Sequence, residues 1–129
     1  MNRKNLRSLA AGVALLLAVG ALAGCGGEKK ADDSKKMVTA GIAQLVEHGA
    51  LDAANKGFVA GMASKGFKEN ENVKYDRQNA QADQSNLQNI AQRFVSNKVD
   101  LICAIATPTA QTMANATKDI PIVATAVTD

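Results

Sequence analysis

The sequence predicts an α/β fold, a three-layer arrangement in which a parallel sheet lies between helices, built as β-α-β-α-β-α-β over residues 37–129. Three observations carry this. Short apolar runs containing β-branched residues, at 38–43, 101–106 and 122–127, alternate with segments of helical length. Those longer segments repeat their apolar residues at three- and four-residue steps. The run 101–106 is apolar throughout, as a strand buried on both faces of a parallel sheet requires. Right-handed crossovers between parallel strands then place the helices on both faces.

The first strand is read at 38–43. The first helix spans 50–65, with Leu51, Ala54, Phe58 and Met62 on one stripe and Gly66 placed to stop it. At 72–78, Val73, Tyr75 and Arg77 alternate with polar positions, the pattern of an edge strand. Asp83 or Ser85 caps the second helix, whose stripe is Leu87, Ile90, Ala91, Phe94 and Val95, and Asn97 ends it in a left-handed conformation. Residues 101–106 form the central strand. Thr107-Pro108 reads as a helix start: a hydroxyl cap, then a proline whose missing N–H does no harm. Ala110, Met113, Ala114 and Thr117 supply the face of that third helix, and Pro121 opens the last strand at 122–127 in a tolerated position.

The first 36 residues read differently. Residues 2–7 hold Arg3, Lys4 and Arg7, and 9–23 form a charge-free stretch. That stretch is shorter than the roughly 20 residues a spanning helix needs. It ends in Leu22-Ala23-Gly24-Cys25, which matches the lipobox of bacterial lipoprotein signals. Residues 1–24 are therefore expected to be an export signal, with Cys25 the lipid-bearing first residue of an exported, membrane-anchored product of the cell envelope. The polar, Gly-containing segment 26–36 is expected to be a flexible tether, with the folded part at 37–129.

The 129 residues, 47% of them hydrophobic, suffice for one small core. The formal charge of +3 resides in residues 1–24; from Cys25 onward twelve basic residues balance twelve acidic ones. A neutral chain offers no electrostatic footprint for nucleic acid. With Cys25 lipidated, Cys103 stands alone, which leaves no internal disulfide, and its apolar strand marks it as a packing residue. The single histidine gives no zinc-ligand spacing, so no metal is expected. No phosphate-cradling glycine motif, no Gly-x-Ser-x-Gly turn and no well-placed pair of carboxylates occurs, so neither catalysis nor a cofactor is expected.

Ligands of open parallel sheets bind outside the carboxyl ends of the strands, where strand order reverses. That rule selects residues 44–49, 79–83, 107–111 and 128–129. At 107–111 a helix entrance offers N–H groups and the positive end of a dipole, with the Thr107 and Thr109 hydroxyls beside them, a setting suited to a carboxylate or phosphate. The plain alternative is a cap that holds no ligand. Glu47 and His48 have the chemistry to bind an ammonium group or stack on a ligand, the alternative being a solvated loop. Asp129 could pair with an ammonium.

Three stretches carry a resemblance: GIAQLVEHGALDAANKGF (41–58), NAQADQSNLQNIAQRFV (79–95) and DLICAIATPTAQTMANATKDIPIVATAVTD (100–129). They resemble the type 1 periplasmic-binding family of ABC transporter substrate-binding proteins, in the branch associated with tryptophan and tyrosine uptake. The resemblance implies a Rossmann-like (flavodoxin-like) lobe. Members have two such lobes joined by a hinge, so this chain is expected to be the incomplete amino-terminal lobe, a fragment whose second lobe is absent. It implies that Glu47 and His48 line the cleft, that Thr107, Thr109, Ala110 and Gln111 hold an amino acid carboxylate, and that Asp129 lies near the ligand or hinge. It further implies an ABC permease as partner and an amino acid, aromatic favoured, as ligand. The competing expectations are an enzyme on the same sheet, for which no motif speaks, and a truncated sensor or structural lipoprotein that keeps the fold without transport.

Overall fold

The computed structural model describes residues 36–128. Among them β1 (Val38–Gln44), α1 (Gly49–Ser64), β2 (Val73–Asn79), α2 (Gln84–Ser96), β3 (Leu101–Ile105), α3 (Thr107–Ala116) and β4 (Ile122–Thr125) follow in order. The export segment, Cys25, the tether up to residue 35, and Asp129 lie outside the described residues.

The four strands pair in parallel in the order β2-β1-β3-β4. Ile42 of β1 lies opposite Arg77 of β2 and Cys103 of β3, and Gln44 lies opposite Asn79 and Ile105. Side chains alternate between the faces of a strand, and this alternation splits the core in two. On one face Ala43, Ile102 and Ala104 meet Leu87, Ile90, Ala91 and Phe94 of α2 and Met113 of α3. On the other, Ile42, Cys103 and Ile105 meet Leu51, Ala54, Phe58 and Val59 of α1, with Tyr75. The helix α1 buries no residue completely, whereas α2 buries four. The three-layer α/β prediction holds, with β2 at an edge and β3 in the interior.

Phe94 anchors the α2 layer. It is fully buried, which contributes roughly 1.5–3 kcal/mol. Its ring rests on the backbone of β1: a Cβ added to Gly41 would lie 2.8 Å from Cδ2 and Cε2 of Phe94. A glycine in the middle of a strand is thus explained by close approach rather than by a bend.

Helix ends show where the local rules hold. Gly66 (φ 92°) follows the cap residue of α1, the Gly66 N–H donates to the Ala63 carbonyl and the Phe67 N–H to that of Met62. These are the paired bonds of a Schellman stop, as the glycine predicts. The same motif ends α2, but one residue later than expected. Asn97 stays right-handed (φ −78°) and Lys98 takes the left-handed turn (φ 51°), with Lys98 N–H to Val95 and Val99 N–H to Phe94. The apolar contact between Val99 and Phe94, both in the core, fixes the register over the intrinsic preference of asparagine.

Three further expectations need correction. The N-cap of α3 is Ala106, not Thr107, and no side chain caps it. The Thr107 hydroxyl is engaged instead by Thr128, accepting from its N–H at 3.0 Å and donating to its carbonyl at 3.3 Å. On α3 the buried pair is Thr109 and Met113, and Ala114 faces out. The last strand stops at Thr125, because Ala126 turns left-handed (φ 53°). Val95, Val123 and Val127 remain exposed.

Candidate ligand-binding rim

Because every strand is parallel, every helix begins at the same edge of the sheet, and the positive ends of three helix dipoles gather there. Strand order reverses between β1 and β3, since β2 flanks β1 on the outside while β3 and β4 extend the other way. The exits of β1 and β3, side by side at the Gln44–Ile105 pair, therefore define the crevice in which such sheets take ligands.

The three helix entrances differ. At α2, the Asp83 carboxylate accepts the Asn86 N–H at 2.9 Å and the Ser85 hydroxyl at 2.6 Å. The Ser85 hydrogen bond, then that of Asn86, lowers the Asp83 carboxyl below its ordinary value. At α1, His48 is the cap: its Nδ1 accepts the Ala50 N–H at 3.2 Å, so the Nε2 edge of the exposed ring is the one left to meet a ligand. At α3 no capping side chain is present among the described residues. That entrance keeps its positive end available to an anion.

Backbone strain collects at the same rim. Of six non-glycine residues with positive φ among those described, Gln81, Ala82, Ala106 and Ala126 lie on the loops leaving β2, β3 and β4. Ala106, at φ 85° and ψ 153°, occupies a region normally reserved for glycine, at a cost on the order of 1–3 kcal/mol. Such strain persists where surrounding structure over-determines it, and functional sites are where it clusters.

The rim loops are cross-tied. The Ala80 N–H donates to the Gln44 carbonyl and the Ala82 N–H to that of Leu45, joining the exits of β1 and β2. The Ala106 N–H donates to the Thr125 carbonyl, joining those of β3 and β4. A network that sequence reading missed sits under the first loop. Gln44, 5% exposed, donates through Nε2 to the Val46 carbonyl at 2.9 Å and to the Asp52 carboxylate at 2.7 Å, and its Oε1 accepts from Asn55 Nδ2 at 3.2 Å. The available signal was a glutamine closing an otherwise apolar strand, since a buried amide demands partners.

The candidate residues occupy this rim unequally. Glu47 and His48 are exposed on the loop after β1, Thr107 is half-buried, and Gln111 is exposed on α3. Ala110 is half-buried against the core. Thr109 is completely covered, and its hydroxyl has no hydrogen-bond partner among the described residues. Asp129 is outside the described residues. A groove of about 560 Å³ lies elsewhere, between α2 and α3, lined by Gln84, Gln88, Gln92 and Asn115 among others, and contains none of the candidate residues.

Comparison with known proteins bears on the family and the fold. The family model for ABC transporter substrate binding protein matches residues 39–129. A tyrosine-binding protein of Clostridioides difficile (strain R20291) is 51% identical over 136 residues, covering 99% of this chain and 39% of the relative. The chain thus spans well under half the length of that relative. A ligand-free, open substrate-binding protein with adhesive properties from Clostridium difficile is 56% identical, with a TM-score of 0.70 over 72% of this chain and 32% of its own. An ABC domain in complex with L-Trp from Streptococcus pneumonia is 40% identical, with a TM-score of 0.69 over 73% of this chain and 32% of its own. The family match over residues 39–129 and the 51% identity settle the family: the chain belongs to the ABC transporter substrate-binding protein family.

Proposed function

We propose that this chain is the amino-terminal part of a solute-binding lipoprotein that captures an amino acid, aromatic in preference, and delivers it to an ABC permease. The observation that carries the reading is the entrance of α3, uncapped by any described side chain and set beside the reversal point of the sheet. An amino acid is a zwitterion, and its carboxylate suits that entrance, with Thr107 and Gln111 alongside. Glu47 on the neighbouring loop supplies the charge that suits the ammonium, and the His48 ring an aromatic surface. The strained Ala106 turn is the element that would yield as the ligand seats, bringing Thr109 and Ala110 to it. Relatives named for tyrosine binding and solved with L-Trp support the aromatic preference. Closure of a second lobe over this rim would complete the clamp. Asp129 would approach from the hinge side. Cys25 would carry the lipid that holds the receptor at the membrane, with residues 1–24 removed on export.

A thermal-shift series of the full chain against the twenty amino acids tests the reading. Ligand at 100-fold above Kd stabilises by about 2.7 kcal/mol, which in a domain of this size raises Tm by roughly 10–20 °C. Tyrosine and tryptophan are expected to give the largest rises. No rise with any amino acid would remove the proposed ligand class.

A further inference from the structure

The candidate site has a support that none of its own residues provides. We propose that Gln44 is the positioning residue of the rim: it contacts no ligand and fixes the loop that carries Glu47 and His48. The inference rests on the proposed amino acid site for its purpose, but not for its geometry.

Gln44 closes β1 and is 5% exposed, so its amide must find its partners within the protein. It does, and each partner lies on a different part of the first loop and helix. Val46, whose carbonyl accepts at 2.9 Å, is inside the loop. Asp52, whose carboxylate accepts at 2.7 Å, is in the first turn of α1. Asn55, which donates at 3.2 Å, is one turn further on. The amide cannot be flipped, because the Val46 carbonyl and the Asp52 carboxylate are both acceptors and only the NH₂ side serves them. Both N–H groups are thereby spent, which leaves none for a ligand.

The loop between β1 and α1 is held at both ends by this one side chain. At its start the Val46 carbonyl is tied to Gln44; at its end α1 is tied through Asp52 and Asn55, with His48 as the helix cap between them. Glu47 and His48 themselves are exposed and lack core packing. Their placement over the rim therefore depends on the anchor beneath. The bond to Asp52 is charge-assisted and short, the strongest of the three.

The test compares the full chain with Gln44→Glu and with Gln44→Glu/Asp52→Asn. The single substitution keeps the size, removes both donors and sets a carboxylate against Asp52. The double substitution returns a donor from the other side. Backbone amide hydrogen exchange is read at residues 50 and 52, whose N–H groups donate to His48, and, as the internal reference, at Ile102, Cys103 and Ala104 of β3. Gln44→Glu is expected to speed exchange at residues 50 and 52 on the order of tenfold, the factor that loss of one charge-assisted hydrogen bond converts to. The β3 amides should move far less. The double variant should restore the tie to residue 52, and with it the α1 end of the loop, while the Val46 carbonyl stays without its donor; Gln44→Glu should recover in part as pH falls and the new carboxyl gains one proton to donate. Tyrosine affinity should fall and return in step.

Unchanged exchange at residues 50 and 52 in Gln44→Glu overturns the inference, as does equal acceleration there and in β3, which would mark an ordinary structural residue. If Gln44→Glu fails to fold, Asp52→Ala on the half-buried helix face removes the strongest bond alone, and an unaltered loop then overturns it. Should the wild-type chain bind no amino acid, the receptor reading fails while the exchange comparison still decides the role of Gln44.

Discussion

Gly41→Ala is the sharpest probe of how this sheet is packed. The new methyl would sit 2.8 Å from Cδ2 and Cε2 and 2.9 Å from Cγ of Phe94. Carbon atoms prefer about 3.5–4.0 Å, so the overlap is at least about 0.6 Å with each of three ring atoms. Phe94 has nowhere to go, being fully buried among Leu87, Ile90, Ala91 and Val99. Overpacking of this kind costs roughly 1–3 kcal/mol, and replacing a strand glycine by alanine returns about 0.5–1 kcal/mol. With three ring atoms inside 3.0 Å the overpacking cost lies in the upper part of that range, about 2–3 kcal/mol, so a net destabilisation of about 1–2.5 kcal/mol remains, equivalent to a Tm drop of roughly 4–20 °C for a domain of this size. Urea and thermal denaturation of the full chain followed by circular dichroism measure it. The double variant Gly41→Ala/Phe94→Leu should be less destabilised than the sum of its parts, with a coupling of about 0.5–3 kcal/mol. A Gly41→Ala protein as stable as wild type, or strict additivity in the cycle, would refute the claim that the ring lies against β1.

Three other outcomes follow. The Thr39 N–H, and then Lys36, lower the Asp100 carboxyl below its ordinary value, so its folded pKa is depressed. Its contribution is full above the unfolded carboxylate value of about 3.9 and is lost as pH falls through the folded value; Asp100→Asn should flatten that acid limb of a Tm-against-pH curve and leave the neutral region nearly level. Thr109→Val removes a buried hydroxyl that has no partner, so a gain of about 1–2 kcal/mol is expected in denaturation; weaker amino acid binding in the same variant would show that the ligand recruits the hydroxyl, and destabilisation would show a partner already in place. Burial pushes the Cys103 thiol up to about 11, so at pH 8 alkylation by iodoacetamide should proceed only at the rate of global unfolding, and fast labelling of the native chain would contradict its placement in the core.

What could be read in advance divides along physical lines. Element order and the faces of α2 were legible because Leu87, Ile90, Ala91 and Phe94 repeat at helical spacing and the run 101–106 is continuously apolar. The edge position of β2 was legible in its alternation of Val73, Tyr75 and Arg77 with polar residues. Gly66 announced its own turn. Lys98 did not, since its left-handed conformation follows from a Val99–Phe94 contact that becomes visible only once α2 is docked. The cap of α3 was misplaced for a related reason. Thr107 followed by Pro108 is a good local start signal, but the Thr107 hydroxyl is taken by Thr128, twenty-one residues away in sequence. An alanine in a glycine conformation at 106 has no sequence signature at all. For the rim, the general rule for parallel sheets located Glu47 and His48 on an exposed loop and Thr107 and Gln111 at exposed or half-buried positions of α3, while the burial of Thr109 and the anchoring by Gln44 are products of tertiary packing.

The central claim is that the rim between the exits of β1 and β3 takes the ligand. Titration of the isotope-labelled full chain with L-tyrosine and then L-tryptophan, followed by backbone and side-chain amide NMR, tests it most directly. The account predicts that the amides of Glu47, His48, Gly49, Thr107, Ala110 and Gln111 shift in a saturable way while the side-chain amides of Gln88, Gln92 and Asn115 stay fixed. Saturating ligand that leaves the rim signals in place, or moves only those of the groove between α2 and α3, would contradict it.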